Sequence, residues 1–80
     1  MAMLGHIALN NAGLTEFPVE FLTMTNLSFI ELDHNAISVI PPDIANLKYR
    51  LVRLSLAGNP IQDSAKAVLR RKLPKTNLHF

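Results

Sequence analysis

A chain of 80 residues, 49% hydrophobic and 18% charged with thirteen leucines, fits one small folded domain and argues against a disordered one. Cysteine is absent, which excludes disulfide staples and thiol nucleophiles and favours a reducing, cytoplasmic compartment. No apolar run reaches the ~18 residues needed to span a bilayer, and the apolar start lacks the basic n-region of a signal peptide, so no membrane partner is expected.

The net charge of +2 conceals an asymmetry. Residues 1–47 carry Glu16, Glu20, Glu31, Asp33 and Asp43 with no Lys or Arg, giving −5. All eight basic residues lie between Lys48 and Lys75 against the single acid Asp63, giving +7.

The first expected element is a short strand ending at Leu9, in which Ile7 and Leu9 alternate with His6 and Ala8. Period two sends Ile7 and Leu9 to one side and their neighbours to the other. A proline-bearing segment follows, Phe17-Pro18-Val19-Glu20-Phe21, where the fixed proline φ opposes both a further strand and a long helix. Phe21 with Met24 is expected to close the underside of the core. The same order recurs: a strand with inward Ile30 and Leu32, then Ile40-Pro41-Pro42-Asp43-Ile44 with Leu47, then a strand with inward Leu54 and Leu56. Asn35 and Asn59 stand just after the second and third strands, where an amide that donates and accepts can satisfy backbone groups of adjacent coils. The first coil has Ala12 there and is expected to be the weakest.

The third segment differs. Gln62 to Leu73 carries Ala65, Val68, Leu69 and Leu73 at helical spacing and is stopped by Pro74. Asp63 or Ser64 is expected to cap this helix, and Arg70, Arg71 and Lys72 lie where its dipole favours cations. Thr76 to Phe80 then alternates as a last strand with Leu78 and Phe80 inward.

The pattern L-x-x-L-x-L-x-x-N-x-L therefore occurs from Leu27 to Ile37 and from Leu51 to Ile61, with an alanine-bearing copy from Leu4 to Leu14. The first leucines, Leu4, Leu27 and Leu51, are 23 and 24 residues apart. The chain resembles the leucine-rich repeat family, in its intracellular 23–24-residue form, from Leu4 to Phe80. The resemblance implies an α/β solenoid, a right-handed superhelix with a short parallel sheet on its concave side and a C-terminal helix–strand cap. One domain over residues 1–80 is expected, with repeats at about 4–26, 27–50 and 51–61 and the cap at 62–80. At the other end, Met1-Ala2-Met3-Leu4 leads straight into the first strand, which leaves an uncapped edge. Two explanations stay open: the chain is the C-terminal part of a longer array, or that edge pairs with another chain.

The family implies protein–protein recognition through the concave sheet. The expected contact residues are His6, Phe29, Glu31, Asp33, His34, Arg53 and Ser55. Phe29, a large aromatic at an outward position, is either a partner's anchor or simply packed on His6 or Arg53. Glu31, Asp33 and Arg53 are either charge complements to a partner or a solvated face. A structural or self-associating segment, or the targeting arm of a larger signalling enzyme, is the alternative.

Chemistry of other kinds finds little support. His6, His34 and Asp33 lack the converging spacing of a metal site. No serine sits in a G-x-S-x-G turn and no phosphate-binding glycine loop is present, so neither catalysis nor a cofactor is expected. Lys66, Arg70, Arg71, Lys72 and Lys75 form a basic cluster without accompanying aromatics, read as solvated residues and not as a nucleic-acid site. Asn26-Leu27-Ser28 is an incidental glycosylation sequon.

Overall fold

The computed structural model describes residues 5–24 and 26–80. The expectations resting on Met1, Ala2, Met3 and Leu4, including the first motif leucine and the uncapped lead into the first strand, lie outside the described residues. Four strands, β1 (Gly5–Ala8), β2 (Leu27–Glu31), β3 (Arg53–Ser55) and β4 (Asn77–His79), form one parallel sheet in chain order. Two 3-10 helices, Val19–Thr23 and Pro42–Leu47, and one α-helix, α1 (Asp63–Lys72), carry the chain back between strands. The result is an α/β solenoid, as the resemblance implies.

The core is the stack of inward leucines and isoleucines. Ile30, Leu54, Leu32 and Leu56 are shut off from solvent, with Ile37, Ile44, Leu47 and Leu51 beneath them. Burying each such side chain contributes roughly 1.5–3 kcal/mol, so stacking holds each coil on the next. Registers match along the sheet: Ile7 lies beside Ile30, Ile30 beside Leu54, and Leu54 beside Leu78. The register of β1 on β2 shifts between Gly5 and His6, where Gly5 faces Leu27 and His6 faces Phe29, leaving Ser28 without an opposite residue. A side chain at position 5 would run into the carbonyl of Asn26, so glycine permits this approach.

Leu9 departs from expectation. It is 39% exposed, because among the described residues no coil covers it on the side away from β2. Met24 also fails to close the underside, at 38% exposed. Phe17 takes that place, buried with its ring edge-on to Phe21 at 5.7 Å.

Prolines decide the return segments. Pro18 and Pro41 sit extended at the entry of each 3-10 helix, and Pro42 occupies the first helical turn where its missing N–H costs nothing. The turn after each of the first three strands holds a left-handed residue at one motif position: Asn11 at φ 53°, His34 at 58° and Gly58 at 77°. Asparagine and histidine tolerate that region better than most side chains.

The amide bridges form as the asparagines predict. Asn35 Oδ1 accepts from the backbone N–H of Ala12 and Leu14, while its Nδ2 donates to the carbonyls of Leu9 and Leu32. Asn59 repeats this one coil on, accepting from Ile37 and donating to Leu32 and Leu56. Helix α1 is capped differently from expectation. Its N-cap is Gln62, without a side-chain hydrogen bond, and Asp63 instead reaches Lys66 at 3.8 Å.

Candidate interaction surface

Because strand side chains alternate, the sheet's outward face is built from residues between the leucines. Register places them in two rows across the strands. One row runs His6, Phe29, Arg53, Asn77; the other runs Ala8, Glu31, Ser55, His79. Five expected contact residues, His6, Phe29, Glu31, Arg53 and Ser55, are thus adjacent.

Phe29 is half-buried, with its ring tilted 54° against that of His6 at 5.8 Å. The packing partner is His6, not Arg53. His6 Nε2 also lies 2.6 Å from Glu31 Oε2, joining the rows. Arg53 differs from its neighbours: among the described residues its guanidinium has no hydrogen bond, ion pair or aromatic partner.

Asp33 and Ser55 form a second group. Ser55 is 1% exposed, so its hydroxyl is not on offer to a partner. It donates to Asp33 Oδ1 at 2.6 Å, and that oxygen also accepts from the Ala57 N–H at 2.9 Å. With its one hydrogen directed at Asp33, Ser55 Oγ must accept from His79 Nδ1, which lies 3.1 Å away. A nucleophile–base pair needs the opposite direction, serine donating to histidine. The arrangement ties three strand ends together.

His34 stands off the sheet. It occupies the left-handed turn after β2, exposed, with its ring lying against Gly58. Asn77 and His79, outward by the alternation of the last strand but not among the expected contacts, extend the two rows.

The basic cluster does have an aromatic companion. Lys66 Nζ and Arg70 Cζ lie 5.4 and 5.2 Å from the centre of the Phe80 ring, which the helix folds over and half-buries. On the return side a shallow apolar groove lies between Pro41 and Val68, bridged by Lys72 Nζ donating to the Pro42 carbonyl at 3.1 Å. No group of three or more His, Asp or Glu that could hold a metal occurs among the described residues. No helix among them is long and apolar enough to cross a membrane.

No family model matches the chain, and no curated protein does. Among solved structures, a leucine-rich repeat protein of Leptospira interrogans is similar, with a TM-score of 0.77 and 36% sequence identity. The likeness covers 84% of this chain but 17% of that one, so the chain spans a small part of the length of the protein it matches. Parallel strands in repeat register, asparagine bridges between coils and this likeness agree: the chain belongs to the leucine-rich repeat family.

Proposed function

We propose that this chain is a protein–protein interaction module that binds through the concave, outward face of its sheet. A stacked-repeat scaffold presents a continuous surface and is suited to recognition more than to enclosing a reaction. The observation that carries the choice of face is the row His6–Phe29–Arg53–Asn77. It sets a partly open aromatic ring beside a guanidinium that is unpaired among the described residues, and aromatic and arginine side chains are enriched among the residues that dominate binding energy at interfaces.

The test is made by photo-crosslinking. A benzophenone amino acid at position 29 should capture a protein partner from a lysate, whereas the same group at Val19, on the return side and 59% exposed, should not. The double variant Phe29→Ala, Arg53→Glu should weaken the captured partner by about 30-fold or more, as loss of a hot spot of ~2 kcal/mol requires. Capture at Val19 alone, or unchanged affinity of a folded double variant, would place the interface elsewhere.

A second reading is self-association, favoured by the part-exposed Leu9 beside β1, which pairs only with β2 among the described residues. Light scattering over a concentration series decides it: mass rising with concentration supports it, and a constant monomer mass removes it.

A further inference from the structure

We infer that the segment bound by this face is acidic: an extended peptide that gives a carboxylate to Arg53 and an apolar side chain to Phe29. This rests on the concave-face reading above. By composition the face looks mixed, with Glu31 and Asp33 offsetting Arg53. Glu31 and Asp33 keep their charge, but the hydrogen bonds decide which side chains are free to pair with a ligand. Glu31 is closed onto His6 at 2.6 Å, and the Asp33 oxygen that faces the sheet is held by Ser55 and by the Ala57 N–H. Both acids are engaged within the protein, while among the described residues Arg53 has no such partner.

A guanidinium presents a planar fork of donors that matches a carboxylate, and such bonds are about twice as strong as neutral ones. Asn77, exposed and directly beside Arg53 in register, adds an amide donor on the same side. Phe29 lies on the other side of Arg53. Neighbouring strands are about 4.8 Å apart and alternate residues of an extended chain about 6.7 Å. The flexible arginine stem covers that difference, so residues two apart on a peptide crossing the sheet reach Phe29 and Arg53 together. A phosphate dianion is the poorer fit. It would meet one cation instead of a cluster, and its double charge is repelled by the Glu31 carboxylate in the adjoining row more strongly than a single carboxylate is.

The experiment titrates the isotopically labelled chain with four capped peptides of equal length, followed by NMR of backbone amides and the Arg53 Nε–H. One peptide repeats Asp-Ser-Phe-Ser, so that each aspartate stands two residues from a phenylalanine; in the others aspartate is replaced by asparagine, lysine or phosphoserine. The aspartate peptide should shift resonances of β2 and β3 together with Arg53 Nε–H, and bind about tenfold more tightly than the asparagine analogue. Arg53→Gln should remove that tenfold preference, Arg53→Lys should keep only part of it, and Lys48→Gln, exposed and off this face, should leave it intact. Equal binding of the aspartate and asparagine peptides, or a preference for lysine or phosphoserine, overturns the acidic class even if shifts map to β2 and β3. Shifts confined to other surfaces, or no binding by any of the four, overturn this inference; shifts confined elsewhere also count against the concave-face reading.

Discussion

Removing the amide of Asn35 tests how successive coils are joined. Asn35 is 8% exposed, and Asn35→Ala strips partners from the N–H groups of Ala12 and Leu14 and from the carbonyl of Leu9. The Leu32 carbonyl is spared, because Asn59 Nδ2 still donates to it at 2.8 Å. Ala12 and Leu9 are exposed enough for water to replace part of the loss, whereas Leu14 is half-buried. At ~1–3 kcal/mol for each buried group left unpaired, with partial compensation at two of the three, the expected cost is about 2–4 kcal/mol. A domain of this size is stable by roughly 4–12 kcal/mol, so the variant should lose a large share of it and melt about 10–25 °C lower. Urea and thermal unfolding followed by circular dichroism measure this. Asn35→Asp should be no better at neutral pH, since its second oxygen would face the carbonyls of Leu9 and Leu32 where Nδ2 now donates at 3.0 and 2.9 Å. Ala12→Asn, which meets no earlier coil among the described residues, should change stability by less than about 0.5 kcal/mol. A loss below ~1 kcal/mol for Asn35→Ala, or an Asn35→Asp variant as stable as the parent, would refute the bridging role.

Three further outcomes follow from the packing. Leu54→Ala, at a fully buried centre, should cost about 2–5 kcal/mol, while Leu9→Ala should cost under ~1, with denaturation midpoints giving the comparison. Gly58→Ala should destabilise by about 1–2 kcal/mol from its left-handed φ of 77°, plus a contact with the His34 ring; a double-mutant cycle with His34→Ala should show the contact part relieved. An identical penalty in both backgrounds would mean that the ring is not in the way. Asp33→Ala should lower stability by about 1–3 kcal/mol while binding of an acidic peptide is no weaker, and the reverse result would make its carboxylate a contact instead of a strut.

Much of the fold was legible because it is local and periodic. Alternation around Ile30, Leu32, Leu54 and Leu56 gave the inward faces, the prolines gave the short returns, and Asn35 and Asn59 marked the bridges. The misplacements were of neighbouring residues with similar chemistry, between which spacing along the segment does not choose. Met24 and Phe17 are both apolar and near the same return, and only packing against Phe21 chooses between them. Asp63 has the chemistry of a helix cap, yet the chain turns one residue earlier and leaves it beside Lys66.

The same division holds at the candidate site. Sequence by itself determined the repeat, the parallel strands and which residues face outward, since each follows from spacing along one short segment. Only the tertiary structure decided which outward residues remain free. Glu31 and His6 are 25 positions apart, Asp33 and Ser55 22 apart, and nothing in either local segment announces that they meet. Stacking brings them to hydrogen-bond distance, engages both acids, buries the serine and, among the described residues, leaves Arg53 beside Phe29 without an internal partner.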